Sequence, residues 1–375
     1  MLFCNFLDTK LPAMKALLIL PLCLLLNSVP EVPDNSSAKE NLPKELFDSD
    51  ELLNIKLTGN VRDAFGDRSS KPKYHAFSLY YQPTGESEMR TSVRIRTRGH
   101  FRKDKSNCSY PPLLLNFTNK DQAESSLFYN RDKVKLVMPC RDDEYVVKEY
   151  LVYRLYNLIS PRSFKARLVK VTFDDSLRKK TTGPFYAIML EEEEHMAKRN
   201  KMTTVEPKML KPQQAEPNSF LIFAMFQYMV GNTDWSTQYR QNVKFLVEKP
   251  NDLPIPVPYD FDHSGFVNAP YALPAEELMM SSVLERRYRG YCVTDMKAFE
   301  PTIAKFNQLK DSFYKEISGC PYLDNKGIKS LTRYLDDFYD VINSPKVFQS
   351  DFSYPCDKDG TGNVVIRGLK EDDKD

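Results

Sequence analysis

The hydrophobic pattern of this chain changes its period after about residue 190, and this change limits most strongly what the chain can fold into. In residues 52–117 and 133–190, short runs alternate apolar and polar side chains, which predicts antiparallel strands that are buried on one face. One helix is inserted, because apolar residues within 144–159 recur at helical spacing. From residue 219 onward the apolar spacing is helical. The sequence therefore predicts an α+β protein with a β-rich half and then an α-rich half.

Turn residues separate these elements and give them approximate bounds. The predicted strands are residues 55–57, 76–81, 92–96, 113–117, 133–137, 168–173 and 185–190. The predicted helices are residues 144–159, 220–230, 275–287, 294–309 and 326–342. An antiparallel sheet with one inserted helix, followed by a helical half, is the plan of a two-lobed protein-kinase-like fold. We therefore expect a β-rich N-lobe and an α-rich C-lobe.

The length of 375 residues favours two lobes over one small core. The segment after the N-terminal apolar run is rich in Pro, Ser, Asn and acids, so it is expected to be a linker with little to bury. The predicted organisation is a signal peptide region at 1–27, the linker at 28–48, the β-rich N-lobe at 49–192, the α-rich C-lobe at 193–356 and a charged tail at 357–375.

The net charge and the positions of the histidines each argue against one class of function. The chain carries 53 Lys and Arg against 51 Asp and Glu, a net charge of +2, so it lacks the electrostatic footprint of a nucleic-acid-binding protein. Its four histidines are scattered without the spacing of metal ligands, which argues against a zinc enzyme.

The N-terminal region predicts export. Met14 and Lys15 precede eleven apolar residues at 16–26, ALLILPLCLLL, the length of a signal-peptide core and too short to span a bilayer. Met14 is therefore the expected start, and the mature protein is expected in the periplasm or the medium. No later stretch approaches eighteen apolar residues, so we expect no stable membrane span after the signal is removed.

An exported protein can form disulfides, and five cysteines follow the signal region. Cys108 and Cys140 flank neighbouring apolar segments and are expected to pair. Cys320 and Cys356 bracket a helical stretch and are expected to pair as well. Cys292 would then remain as a buried free thiol.

An acidic segment in the second half carries the clearest chemical signal. Asp234 follows the apolar run 220–230, Asn242 comes eight residues later, and Asp260 and Asp262 follow a strand-like run. Acids in such apolar company are costly unless they are paired, hydrogen-bonded or metal-bound. Phosphoryl-transfer enzymes place a hydroxyl-orienting acid, an amide and a cation-holding acid in this order around metal-bound ATP. The alternative is a helix cap followed by a strand end with solvated acids.

The same segment resembles the CotH-type spore-coat kinase family. Asn-Thr-Asp at 232–234 and Pro-Tyr-Asp-Phe-Asp at 258–262 are similar to the family's Asn-x-Asp loop and its later Pro-Trp-Asp-x-Asp segment. VRIRTRG at 93–99 and GPFYAIMLE at 183–191 fit more loosely, so the match spans about residues 90 to 268. The segments GNTDWS, PYDFDHSGFVNAPYA and RRYRGYC also resemble a group of exported bacterial proteins of uncharacterised activity.

The resemblance implies an exported kinase-like phosphotransferase that uses ATP with Mg²⁺ or Mn²⁺. Asp234 would be the catalytic base that orients an acceptor hydroxyl on a protein or small molecule. Asn242, Asp260 and Asp262 would hold the metal.

Candidate nucleotide contacts come from the β-rich half. Lys135 lies on a predicted strand just before the helix that carries Glu149, the order in which kinases place a phosphate-holding Lys and its partner Glu. Lys133 is a competitor on the same face of that strand. Glu191 would mark the hinge to the second half. The alternative is an exposed strand Lys, a solvated helix Glu and a solvated acidic turn.

A basic turn offers a second set of phosphate contacts. Gly99 would let the backbone approach a phosphate, and Arg98 or Arg102 would offer fork-shaped donors. A plain basic hairpin turn is the alternative. The chain contains neither the glycine-rich loop of ordinary kinases nor a P-loop, which CotH-type enzymes would not need.

Two departures from the family keep other functions open. The spacing from Asp234 to Asn242 is longer than usual, and the residues at 100–103 replace the family's serine-containing loop. The first alternative is therefore a catalytically inactive envelope protein that keeps the fold and binds nucleotide. The second is a secreted hydrolase that uses Asp234 and Asp260 as a carboxylate pair.

Overall fold

A computed structural model of the protein describes residues 45–83, 85–117 and 124–353. The predicted signal peptide, most of the predicted linker and the predicted charged tail lie outside these residues. The described residues belong to one compact unit. Leu46 and Phe47, at the end of the predicted linker, are buried in this unit.

Seven strands close into a barrel in which neighbouring strands follow the order β1-β2-β3-β4-β5-β7-β6. These strands are β1 (Leu53–Gly59), β2 (His75–Gln82), β3 (Met89–Thr97), β4 (Leu113–Asn116), β5 (Lys133–Val137), β6 (Ala166–Asp175) and β7 (Lys180–Leu190). All neighbours pair antiparallel except β1 and β6, which pair parallel and close the barrel.

The predicted two-lobed protein-kinase-like fold is therefore wrong. The alternating pattern did predict strands, but it carries no information about which strands pair across the chain. Closure depends on the parallel register of β1 with β6, in which Leu53 lies opposite Val169 and Gly59 opposite Asp175. These partners are more than one hundred residues apart, so no local pattern could indicate them.

Helices and a second sheet make up the rest of the described chain. The helices are α1 (Val61–Gly66), α2 (Asp143–Ile159), α3 (Glu193–Arg199), α4 (Pro217–Met229), α5 (Glu300–Gln308), α6 (Lys310–Ser318), α7 (Asn325–Ile342) and α8 (Pro345–Phe352). A small sheet has the order β10-β9-β8, formed by β8 (Thr203–Val205), β9 (Val243–Val247) and β10 (Ile255–Pro258). Within the described residues, no helix is both long enough and apolar enough to cross a membrane.

The predicted helix at 275–287 is wrong, because this stretch holds only the single 3₁₀ turn Glu276–Leu278. Met279 ends that turn in the left-handed region, at φ 50°, so the chain leaves the helical path there.

Two apolar cores meet across the barrel wall. Residues such as Val169 and Met189 point inward and fill the barrel with the inner side chains of the other strands. Their neighbours Leu168 and Ile188 point outward and pack with α2 into a larger core that also contains α4 and β10. The strict alternation along β6 and β7 thus places α2 against the outside of the barrel.

One of the two predicted disulfides is present. Cys108 and Cys140 are bonded, as predicted, and connect the loop after β3 to the residue stretch just before α2. Cys320 is a buried free thiol, and Cys292 is disulfide-bonded, so both of these predictions are wrong. Cys356 lies outside the described residues.

A tyrosine from α7 fills a cradle made by two glycines. A Cβ atom at Gly231 or at Gly265 would overlap the Tyr334 hydroxyl, and one at Gly265 would also overlap the backbone oxygen of Val283. The Arg286 guanidinium lies 3.7 Å from the centroid of the Tyr334 ring. Tyr334 therefore packs α7 against two segments: the one just before Asp234, which contains Gly231, and the one just after Asp262, which contains Gly265.

Replacing Gly265 by Ala should therefore destabilise the protein. Because backbone atoms of Val283 cannot easily move away, we expect a loss of about 1–3 kcal/mol in the free energy of unfolding, the range for overpacked sites. Urea denaturation measures this loss. Gly66→Ala is the matched control, since a Cβ there would meet nothing within 4 Å. Equal stabilities of the two variants would contradict this packing argument.

Candidate functional site

One buried arginine joins three carboxylates that come from distant parts of the chain. Arg102 Nη2 lies 3.2 Å from Glu149 Oε2 and 3.1 Å from Asp260 Oδ1. Its Nε lies 3.0 Å from Asp262 Oδ2. The side chains of Arg102, Glu149 and Asp262 are nearly inaccessible, whereas that of Asp260 is 38% exposed. Asp260 is therefore the carboxylate of this cluster that a solute can reach.

Helix α2 supplies the back wall of the cluster. Glu149 and Tyr153 are four residues apart and so lie on one face of α2, above one another. The Tyr153 hydroxyl accepts a hydrogen bond of 3.0 Å from the backbone N–H of Asp260. Asp260 has a left-handed backbone with φ 60°, which is unfavourable for a residue with a side chain. Strain of this kind is held by surrounding contacts and concentrates at functional sites.

The loop that carries Arg102 is fixed from two sides. Arg68 donates hydrogen bonds from Nη1 to the carbonyl oxygens of Lys103 and Cys108, at 3.0 and 2.9 Å. The Cys108–Cys140 disulfide ties the same loop to the start of α2. These contacts restrict the conformations of the loop, so the Arg102 guanidinium stays next to Glu149.

Asp234 is held by the two amides that follow it. Asn242 donates from Nδ2 to Asp234 Oδ2 at 3.0 Å and to its backbone oxygen at 2.7 Å. Gln241 donates from Nε2 to Asp234 Oδ1 at 2.6 Å. Asn242 also has a left-handed backbone, with φ 52°. Because an amide nitrogen has no available lone pair, only the amide oxygen of Asn242 could act as a metal ligand.

A second buried arginine supports the Asp234 loop. Arg289 Nη1 donates to the backbone oxygens of Thr233 and Trp235, and its guanidinium lies 5.1 Å from the Trp235 ring centroid. Trp235 is itself packed edge-on against Phe223 of α4. The loop therefore has a defined conformation between α4 and the segment that contains Arg289.

Opposed electrostatic effects act on the two aspartates after β10. Burial raises the pKa of Asp260 to about 6, and the neighbouring Asp262 carboxylate adds to this rise. Burial would also raise the pKa of Asp262, but Arg102 and His263, together with the hydrogen bond from Tyr271, outweigh burial and hold that pKa below its usual range. A hydrogen bond links the two carboxyl groups. Two neighbouring carboxyl groups compete for one cation or share one proton.

The remaining acids of the site also feel burial. Burial raises the pKa of Glu149, with Arg102 opposing the rise, and it raises the pKa of Asp234, with His263 opposing. For Arg102, burial alone would lower the pKa, but the surrounding carboxylates outweigh it and keep the side chain charged. Three of the four acids therefore surround the charged Arg102 side chain, and Asp234 lies beside them.

The structure brings most of the sequence-predicted site residues together. Glu149, Asp260 and Asp262 contact Arg102, and the charges of Asp260 and Asp262 act on Arg102, Glu149 and each other. Asp234 lies close enough for its charge to raise the pKa of Asp260. Arg98 also belongs here, since its charge lowers the pKa of Asp260.

The ion-pair partner that Glu149 has at 3.2 Å is Arg102, a loop residue. The Lys135 ammonium lies 5.3 Å from the ring centroid of Tyr259, and Lys244 lies 5.4 Å from the same ring. Lys244 also pairs with Glu193 at 3.3 Å, and the charge of Lys135 lowers the pKa of Glu192.

Glu191 lies in a separate network. Its Oε2 accepts hydrogen bonds from Arg199 Nη2 at 2.9 Å and from the backbone N–H of Lys165 at 3.0 Å. The side chain is 2% exposed. This carboxylate joins α3 to the loop before β6.

Sequence reasoning missed several residues of the site. Tyr153 and Tyr271 contact Asp260 and Asp262, and Arg289 supports the Asp234 loop. Tyr153 carried a usable signal, because it lies one helical turn after Glu149. Nothing local connected Arg289 with residues more than fifty positions earlier.

The oxygen donors present fit a hard divalent cation better than a zinc ion. Among the residues that the structure describes, no group of three or more His, Cys, Asp and Glu side chains is arranged to hold a metal. Asp260 and Asp262 nevertheless bring two carboxyl groups together, and Mg²⁺ in nucleotide sites is commonly bound by one or two carboxylates together with phosphate oxygens.

Comparison with known proteins adds no assignment. No protein-family model matches the chain, and no curated protein matches it. The function must therefore be argued from the site itself.

Replacing Arg102 by Gln should destabilise the protein by about 3–5 kcal/mol, because it leaves buried carboxylates without their cation. Urea denaturation in the presence of a chelator measures the effect. Arg162→Gln is the control: it removes a more exposed ion pair, with Glu248 at 3.3 Å, and should cost less than about 1 kcal/mol. Adding Glu149→Gln to Arg102→Gln should recover part of the loss. Equal costs for the two arginines would contradict the central place of Arg102.

Replacing Asp260 by Asn should change how stability depends on pH. The folded protein keeps the Asp260 proton up to about pH 6, whereas the unfolded chain releases it near pH 4. The wild type therefore loses stability as the pH rises from about 4 to 6, and the variant lacks this loss. Relative to the wild type, the variant should therefore gain stability over this interval, which is measured as a rising difference between the two melting temperatures. Because solvent screens the partly exposed Asp260, we expect this gain to be about 1 kcal/mol. Scans in chelator that show a constant or falling difference would contradict the raised pKa.

Proposed function

We propose that the protein is a phosphotransferase that uses metal-bound ATP to modify a hydroxyl acceptor. The observation that supports this most directly is the placement of Asp234 beside the carboxyl pair of Asp260 and Asp262. Asp234 comes from a different segment of the chain than Asp260 and Asp262, and in the folded protein its charge raises the pKa of Asp260. Phosphoryl transfer needs such a set, since one acid directs the nucleophile while others hold a cation.

Asp260 and Asp262 would hold Mg²⁺ or Mn²⁺, with the amide oxygen of Asn242 as a further ligand. The bound cation would offset phosphate charge that builds up during transfer. Asp260 is the principal ligand in this proposal, because its side chain is partly exposed while Asp262 is engaged by Arg102 and Tyr271.

Basic side chains at the site and around Tyr259 would bind the phosphates of ATP. Arg98 lies near Asp260, and Lys135 and Lys244 flank Tyr259. Arg102 offers a planar guanidinium that is suited to two phosphate oxygens. In this proposal Glu149 orients Arg102, and Arg102 takes the phosphate-holding role that was predicted for Lys135.

Asp234 would act as the general base. Its carboxylate accepts the proton of the acceptor hydroxyl while that oxygen forms a bond to the γ-phosphorus. The bond from the γ-phosphorus to the bridging oxygen breaks, and ADP leaves. Gln241 and Asn242 fix the orientation of Asp234 through their hydrogen bonds, and burial raises its pKa toward the range useful for a base.

A catalytically inactive nucleotide-binding protein is the second candidate, and one observation favours it. The Arg102 guanidinium contacts Asp260 and Asp262 at 3.1 and 3.0 Å, so it competes with a metal ion for the same oxygens. If the Arg102 guanidinium never moves away from the two aspartates, the protein would keep the site but would not catalyse transfer.

The proposal is tested by binding and turnover in the same variants. Wild-type protein should show a rise in melting temperature with ATP that requires Mg²⁺ or Mn²⁺, together with slow ATP hydrolysis in which water replaces the acceptor. Asp260→Ala should abolish the metal-dependent shift. Asp234→Asn should keep that shift yet lower hydrolysis by about 10²–10⁴-fold, the usual contribution of a general base.

Asp340→Asn is the matched control, because it makes the same chemical change on the exposed face of α7. It should leave both readouts unchanged. Metal-dependent binding without any turnover in the wild type would favour the inactive candidate. A wild-type response in Asp260→Ala would contradict the proposed metal ligands.

A further inference from the structure

The outer surface of strands β1 to β4, here called the basic face, is a charged feature that lies outside the site. Strands β1 to β4 together contain four Lys or Arg residues and no Asp or Glu. The whole chain is almost neutral, with 53 basic and 51 acidic residues. Positive charge is therefore concentrated on this part of the barrel, while α2 covers the outer side of β6 and β7.

Strand register arranges the basic face into rows. Lys56, Tyr80 and Arg90 lie side by side on β1, β2 and β3. The next outward row along these strands is Thr58, Ser78 and Ser92. Because side chains alternate between the two sides of a strand, these rows share the outer side. Large cationic side chains thus border a row of small hydroxyl side chains.

The far border has the same composition. Arg94 lies between Ala76 and Asn116 in the third row, and Arg96 follows two residues later on β3. Both guanidinium groups lie 5.3 Å from the ring centroid of Tyr74. Cations with tyrosine rings therefore form both borders of the small-residue floor.

A depression of about 380 Å³ lies over this floor. Its lining includes Thr58, Ala76, Ser78, Ser92, Arg94 and Asn116. Arg90 Nη2 donates to Ser78 Oγ at 2.9 Å, and Arg94 Nη2 donates to Asn116 Oδ1 at 2.6 Å. The two guanidinium groups are thus held in place by polar groups that line the depression.

From this arrangement we infer that the basic face binds a linear acidic polysaccharide. Arg90 and Arg94 are four residues apart on one strand, about 13 Å along its axis, so they can meet successive carboxylates of an extended chain. Hydroxyl and amide groups on the floor suit the hydroxyls of sugar rings. Glu88, which lies 3.9 Å from Lys56, is an opposing charge at the border.

Other polyanions fit this surface less well. Nucleobases need exposed aromatic faces for stacking, whereas Lys56 lies over the Tyr80 ring at 4.6 Å and two arginines lie over Tyr74. An extended peptide commonly adds to a free strand edge, and the seven described strands close on themselves. The floor is too polar for an acyl chain.

The test uses polygalacturonate, which carries one carboxylate per sugar, with full-length mature protein. We expect salt-sensitive binding in titration calorimetry and at least a tenfold loss of affinity in the double variant R90Q/R94Q. The control R287Q/R333Q removes two exposed arginines from the other half of the chain and should stay within twofold of the wild type. Circular dichroism and the melting temperature confirm that both variants are folded.

Polyglutamate, single-stranded oligothymidylate and neutral dextran separate the alternatives. Weaker binding of all three than of polygalacturonate supports the inference. Equal binding of polyglutamate or oligothymidylate would overturn it, since the surface would then recognise charge alone. Unchanged polygalacturonate affinity in R90Q/R94Q would also overturn it. Neither readout depends on ATP or on the proposed transfer reaction.

Discussion

The charge of Arg102 is the interaction on which the rest of the site depends. Three carboxylates converge on it from α2 and from the segment after β10, at distances of 3.0 to 3.2 Å. Without this cation, burial of Glu149 and Asp262 would be strongly unfavourable. The fold therefore commits several elements to holding one guanidinium: the β3 loop, its disulfide to Cys140, and the Arg68 hydrogen bonds.

The same concentration of acids makes the site suited to chemistry. Asp260 has a raised pKa and a strained backbone, and Asn242 shares that left-handed conformation. Such features cost stability and persist only where surrounding contacts enforce them. A cation that enters between Asp260 and Asp262 would relieve their repulsion. In the proposed reaction, Arg102 then becomes available to phosphate oxygens.

Local patterns in the sequence predicted local structure well. The strand at 133–137 has the predicted bounds, and α2 begins within one residue of the predicted start. Asp234, Asn242, Glu149 and the two later aspartates lie in one region, because acids in apolar surroundings must find partners. In this sense the composition of the site could be read from spacing and context.

Long-range relations could not be read in the same way. Barrel closure depends on the register of β1 with β6, which no local pattern encodes. The partner of Glu149 is an arginine in a loop, although a strand lysine was predicted, because loop conformation depends on Arg68 and a disulfide. Residues 275–287 were predicted to be helical from their apolar spacing, yet they hold a single 3₁₀ turn that ends at Met279 with a left-handed backbone.

The most direct measurement is a crystal structure with Mn²⁺ and a non-hydrolysable ATP analogue, in which anomalous scattering locates the metal. We expect the metal peak at about 2.0–2.2 Å from carboxylate oxygens of Asp260 and Asp262. We also expect Arg102 to have moved from these oxygens to the phosphates. A metal bound elsewhere, with Arg102 still between the two aspartates, would contradict the proposed site.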